Sequence, residues 1–228
     1  MLNTVLVPIN RAGWPFIGLF AAASVAMAYV AQPLGLIGAV LTLWCAYFFR
    51  DPERVTPTRR GLIVSPADGI VQLVDAAVPP PELEMGDISR PRVAIFMNVF
   101  NVHVNRSPCD GTITKSVYIT GKFFNASLDK ASEQNERQAV RLTTSGGKDI
   151  AFVQIAGLVA RRIVCELAEG QTLKAGERFG LIHFGSRVDV YLPEGATPLV
   201  AKGQISVAGE TVIADLRSRD SAPDGEVH

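Results

Sequence analysis

Residues 12–49 contain no charged side chain, and only Gln32-Pro33 interrupts the apolar run. The two halves, about 20 and about 16 residues long, predict a pair of apolar helices, the first just long enough to cross a bilayer. A helix folded into a soluble core keeps a polar stripe, and neither half has one, so membrane association is expected over a buried hairpin. After Gly61 the pattern becomes short β-branched and aromatic runs separated by Gly, Pro and Asp. Runs at 62–65, 70–74, 93–98, 112–119, 140–144, 150–155, 178–184, 187–192, 204–207 and 211–214 predict strands, with tight turns at 66–69 and 109–111. Residues 127–138 alone read as a helix in this half, Pro79-Pro80-Pro81 as an exposed loop, and residues 217–228 as a polar tail. The expected organisation is a hairpin and basic linker over 1–60, a β-rich catalytic domain over 61–216 and a flexible tail. The fold class is mainly β (α+β), antiparallel, with an N-terminal apolar helical hairpin.

Charge then refines this picture. Arg11 precedes the hairpin and Arg50, Arg54, Arg59 and Arg60 follow it, which places the β-rich domain on the cytoplasmic side of the cell membrane. Trp14, Trp44 and Tyr47 lie near the apolar ends, where aromatic side chains suit a membrane interface. Twenty-two basic residues balance twenty-two acidic ones, so no field gathers nucleic acid over the whole surface. With 48% hydrophobic residues the chain is too apolar for disorder. Cys45, Cys109 and Cys165 are widely spaced with no CxxC, which disfavours a disulfide scaffold or a structural zinc site.

Only His103 and His183 lie inside the chain as imidazole candidates, since His228 is terminal. Neither has a histidine or carboxylate at zinc-motif spacing, so no metal is expected. Ser186 follows Gly185 but lacks a GxSxG elbow, because Phe184 and Val188 occupy the glycine positions. A Gly-Ser bond permits another reaction. The hydroxyl can attack the preceding carbonyl, turning amide into ester, and loss of the serine α-proton then breaks the chain. Glycine tolerates the geometry this requires. The dipeptide alone is common in turns and decides nothing.

Its company is more specific. Phe49-Arg50-Asp51-Pro52, Ser65-Pro66-Ala67-Asp68-Gly69 and Asn101-Val102-His103-Val104-Asn105-Arg106-Ser107-Pro108 occur in order. Gly121-Lys122-Phe123-Phe124-Asn125-Ala126, Asn135-Glu136-Arg137 and Phe184-Gly185-Ser186-Arg187-Val188-Asp189 follow. Together they resemble the short, compact branch of the phosphatidylserine decarboxylase family, over nearly the whole chain to about Ala214.

The resemblance implies a proenzyme that cuts itself between Gly185 and Ser186, leaving fragments 1–185 and 186–228 associated as a heterodimer. It implies a covalent pyruvoyl group made from Ser186, phosphatidylserine as substrate, and membrane lipid as partner; a higher homo-oligomer is compatible with it. Asp68, His103 and Ser186 match the family's self-cleavage set. The longer branch has a second histidine where Arg106 stands, and a threonine where Arg187 stands. His103 thus carries maturation, turnover or both. Arg106 and His183 are secondary candidates for substrate contact.

Blander readings stand beside these. Asp68-Gly69 suits a turn on backbone grounds alone. The turns around residues 65–71 and 200–214 also resemble barrel-sandwich carrier modules, which gives a membrane-tethered carrier as the competing function. Lys202 lacks the flanking Met or Asp of a modified lysine, and the carrier reading leaves Gly185-Ser186 unexplained. A decarboxylase of a related phosphoserine lipid is the other alternative.

Overall fold

A computed structural model describes residues 7–124, 126, 134–157, 162–183 and 185–218. Helices α1 (Trp14–Val30) and α2 (Gln32–Phe48) come first. They are followed by β1 (Leu62–Val64), β2 (Gly69–Ala77), β3 (Arg90–Met97), β4 (Val104–Arg106), β5 (Gly111–Ile119), β6 (Arg137–Thr143) and β7 (Asp149–Ala156). The remaining strands are β8 (Ile163–Cys165), β9 (Thr172–Leu173), β10 (Arg178–Ile182), β11 (Ser186–Tyr191), β12 (Ile205–Ser206) and β13 (Val212–Asp215).

Each helix has 17 residues, a length of about 25 Å. Pro15 and Pro33 sit in the first turns, where a missing N–H costs nothing, and extended Ala31 makes the bend between the helices. The two helices close tightly, with the Ser24 hydroxyl donating to the Gly35 carbonyl at 2.9 Å. Leu19, Val25, Val30, Leu36, Val40 and Leu43 all remain exposed. Residues 11–30 are long and apolar enough to span a membrane, while α2 is shorter. Only the base of the hairpin meets the β domain. Cys45, Phe48 and Phe49 cluster there with Leu181, and the strand-like bridge Ile9–Arg50 ties the two ends together.

Eight antiparallel strands form one curled half-barrel sheet in the order β12-β2-β3-β11-β7-β6-β5-β9. Two smaller sheets, β4-β10-β8 and β1-β13, pack beside it. β11 lies at the centre, bonded to β3 and β7, and all six of its residues are buried. Alternation splits them between two faces. Val188 and Val190 join the main core with Ile95, Ile150 and Phe152. Arg187 and Asp189 occupy the opposite face, where Arg187 Nε and Nη2 donate to Asp189 Oδ1 and Oδ2 at 2.7 and 2.9 Å. Arg92 reaches the same carboxylate at 3.4 Å and forks onto Asp75 at 2.9 and 2.7 Å. A fully buried pair is tolerable only when bonded in this way.

The ten expected strand runs all coincide with strands, shifted by a few residues at their ends. β4, β8 and β9 are additional. Of the expected helix over 127–138, residues 127–133 lie outside the described residues. Arg137 and Gln138 are strand, which corrects that end of it. Their partners explain the difference, since Arg137 pairs with Glu82 at 2.7 Å and Gln138 bonds Ser116 across the ladder at 2.9 Å.

Candidate active site

Ser186 opens the central strand, opposite Met97 on one side and Ala156 on the other. Its hydroxyl is fully buried and has no hydrogen-bond partner among the described residues. Gly185, just before it, has φ of 76°, a left-handed conformation that a side chain rarely adopts. The Gly185 N–H donates to His103 Nε2 at 3.2 Å. A backbone amide is always the donor, so Nε2 is the acceptor and the ring proton sits on Nδ1, which donates to the Asn101 carbonyl at 2.9 Å. That carbonyl is presented by a tight turn in which Asn98 and Asn101 side chains bond the backbone at Phe100 and Asn98.

The imidazole is 1% exposed and lies on the Phe48 ring at the foot of α2, with 4.2 Å between centroids. Burial holds its pKa down to about 4, with Arg50 and His183 adding to the effect against the Asn101 bond. His103 is therefore a neutral imidazole at physiological pH, and its tautomer is fixed.

Gly157 follows β7 and faces the Gly185 carbonyl. A Cβ built on it would collide with the Gly185 oxygen and lie 3.4 Å from the Ala126 methyl. Asn135 ties this corner together, bonding both backbone groups of Phe124 at 2.9 and 2.8 Å and the Ala156 carbonyl at 2.7 Å. Arg187 adds a bond to the Ala126 carbonyl at 3.3 Å. The Gly185–Ser186 peptide is thus flanked by His103 on its amino side and by Gly157 at its carbonyl.

The match to known proteins identifies the family. Residues 41–214 match the family model described as phosphatidylserine decarboxylase. The chain belongs to the phosphatidylserine decarboxylase family. A phosphatidylserine decarboxylase proenzyme of Paramagnetospirillum magneticum is 62% identical over 220 residues, covering 96% of this chain and 92% of that one. Proteins of the same name from Cereibacter sphaeroides and Ruegeria pomeroyi are 56% and 58% identical, covering 99% and 95% of this chain and 97% and 99% of theirs.

Within this family framework the remaining candidates take distinct places. Asp68 is not joined to His103. Its carboxylate accepts from Arg54 Nη2 at 2.7 Å and from the Ala208 N–H at 2.8 Å. Burial nonetheless raises its pKa, opposed by the Ala208 bond and by Arg54. The imidazole is held by the Asn101 carbonyl and not by this carboxylate. Arg106, considered for substrate contact, is buried and committed to the fold. It donates to the Gly176 and Pro52 carbonyls at 2.8 Å each, and lies 3.6 Å from Asp51. His183 packs between Phe16 and Phe49, with ring centroids 5.6 and 5.5 Å away, and its Nδ1 meets the Arg162 carbonyl at 3.1 Å.

Phe48, Asn101, Asn135 and Gly157 shape this site without having been given roles from sequence. Asn135 and Asn101 lay inside motifs, which was the available signal. Phe48 sat in a uniformly apolar helix and Gly157 in a common Ala-Gly pair, so neither carried one.

Proposed function

We propose that the chain is the precursor of a pyruvoyl-dependent enzyme that converts phosphatidylserine to phosphatidylethanolamine and carbon dioxide. The observation that carries this reading is His103 Nε2 bonded to the Gly185 N–H beside a buried, unpartnered Ser186 hydroxyl. The relatives' name, a decarboxylase proenzyme, accords with it.

In maturation the Ser186 oxygen bonds to the Gly185 carbonyl carbon, the C–N bond breaks, and the serine amine is freed. Neutral His103, once its Nε2 releases the Gly185 N–H, would be the base for the hydroxyl proton. Loss of the Ser186 α-proton then expels Gly185 as a carboxylate, and water replaces the nitrogen of the resulting dehydroalanine as ammonia leaves. The pyruvoyl group so formed supplies a carbonyl that captures the substrate amine and an electron sink as carbon dioxide departs. Ser186 fits this conversion, because the new terminus starts a strand held on both edges. The same ladder keeps fragments 1–185 and 186–228 together, since β11 stays between β3 and β7. In turnover, neutral His103 would take the proton that the substrate ammonium gives up on condensing and return it to the substrate carbon. Asp68 acts as a positioning residue, fixing the turn whose Pro66 carbonyl accepts the Arg106 N–H of β4 at 3.0 Å.

The exposed apolar hairpin anchors the enzyme at the cytoplasmic membrane. A cytosolic enzyme would have to extract its lipid at a cost of about 0.8 kcal/mol per CH₂, and anchoring avoids this. The test is release of carbon dioxide from carboxyl-labelled phosphatidylserine in vesicles. Release that is abolished by hydroxylamine supports the reading, whereas turnover that survives hydroxylamine would refute the pyruvoyl group.

A further inference from the structure

The Phe49-Arg50-Asp51-Pro52 motif ends the hairpin, and three of its members have clear structural partners. Phe49 packs on His183, Asp51 accepts from Arg178 Nε at 2.7 Å, and the Pro52 carbonyl accepts from Arg106. Arg50 differs. It is only partly exposed, and no carboxylate lies within salt-bridge distance of it among the described residues, because the neighbouring Asp51 and Asp68 serve Arg178, Arg106 and Arg54. Its Nη1 donates to the Tyr47 carbonyl at 2.8 Å and its Nη2 to the Phe100 carbonyl at 2.6 Å, while the Tyr47 ring lies 3.7 Å away.

A guanidinium has five N–H donors, and these bonds use two. Partial burial already lowers its pKa, so the cation is desolvated without an anion of its own. Its two carbonyl partners define its place. Tyr47 belongs to the last turn of the apolar hairpin, and Phe100 to the turn that presents the Asn101 carbonyl to His103. Phe100 itself is 61% exposed beside it. An anion on Arg50 therefore sits between the lipid-facing helices and the imidazole.

We propose that Arg50 binds the phosphodiester of the lipid headgroup and sets its depth relative to His103 and Ser186. This rests on the lipid decarboxylase reading above. Phosphodiester and substrate carboxylate share the chemistry an arginine recognises, but they have different fates. An arginine on the carboxylate would stabilise a charge that disappears as carbon dioxide leaves, raising the barrier, whereas one on the phosphate binds ground and transition states alike. A lipid with its acyl chains along α1 and α2 also brings its phosphate to the hairpin base.

The test compares the full chain with Arg50→Gln and Arg50→Lys on phosphatidylserine in phosphatidylcholine vesicles, and measures binding of glycerophosphoethanolamine and of free serine by calorimetry. All three proteins are expected to cut themselves. Arg50→Gln should raise KM by about 10- to 100-fold, the worth of one charge-assisted contact, with kcat within about threefold, and Arg50→Lys should fall between. Glycerophosphoethanolamine, which has the phosphate and no carboxylate, should lose affinity for Arg50→Gln by a similar factor, and serine should not. An unchanged KM and unchanged glycerophosphoethanolamine affinity would overturn the assignment, as would a loss confined to serine. An equal fall of kcat in both variants at constant KM would overturn it too, marking a strut between Tyr47 and Phe100. Absence of turnover by the unaltered chain would strike the decarboxylase reading instead, and the calorimetric comparison would still decide Arg50.

Discussion

The imidazole of His103 rests on the Phe48 ring, centroids 4.2 Å apart and planes 33° from parallel. Phe48 is the last residue of α2. The hairpin therefore contributes a wall to the candidate site, and that wall helps exclude water from the proposed base. Removing everything before Phe49 takes this wall away along with the anchor.

Phe48→Ala should accordingly act on chemistry and not only on attachment. Water admitted beside the ring lets the imidazole pKa climb back toward its ordinary value, while the ring loses the surface that holds its orientation toward Gly185, and this loss of positioning should slow self-cleavage by about tenfold. Proton NMR titration of His103 in Ser186→Ala, with and without Phe48→Ala, reads the first effect and a gel time course the second. An unmoved titration would show that the stacking is incidental. Replacing the distal half of the hairpin, residues 20–42, by a short polar linker should spare cleavage yet lower turnover on vesicles far more than on dissolved short-chain lipid.

Gly157→Ala places a methyl against the Gly185 carbonyl, the proposed cleavage point. A displacement of about 1 Å at a reacting centre can cost roughly 100-fold, and that slowing of cleavage is expected with the fold intact. Circular dichroism checks the fold and a denaturing gel the cleavage. Cleavage at the normal rate would mean that the carbonyl has room to move.

The depressed pKa of His103 has two consequences with opposite directions of interest. The free base persists as pH falls through the ordinary histidine range, so the cleavage rate should stay level to well below pH 6.5 and decline only toward about 4. For stability, the unfolded chain binds the proton that the folded chain refuses between those values. Stability should therefore fall as pH drops through this window, and His103→Gln in a Ser186→Ala background should weaken that fall. Melting curves from pH 7 to 4.5 measure it.

Arg106→Met leaves the Pro52 and Gly176 carbonyls without a guanidinium, and Asp51 with that of Arg178 alone. A loss of roughly 2–4 kcal/mol is expected, as for other broken buried networks. KM of the mature fraction should stay within about threefold, by contrast with Arg50→Gln. A KM effect without destabilisation would restore Arg106 to the substrate.

Much of this was legible in the chain. Short continuous apolar runs between turn residues mark strands such as β3 and β7, and the longer uncharged run marks the hairpin, because burial on both faces or immersion in lipid constrains every residue involved. β4, β8 and β9, of two or three residues each, were not marked by the pattern. The ordered motifs brought Ser186, Gly185 and His103 forward, but not their mutual geometry. The Asp68–Arg54 pairing depends on how residues 50–60 cross the β domain, and Asn101 supports His103 through a backbone carbonyl, which side-chain identity does not encode. Phe48 and Gly157 act through shape alone.

The central claim is self-cleavage between Gly185 and Ser186, and the mass of the purified chain under denaturing conditions tests it most directly. The account predicts two fragments, one ending at Gly185 and one beginning at residue 186 with a pyruvoyl group and no free amine, and a single uncut, inactive chain for Ser186→Ala. An active protein that remains one chain of 24.5 kDa would contradict it.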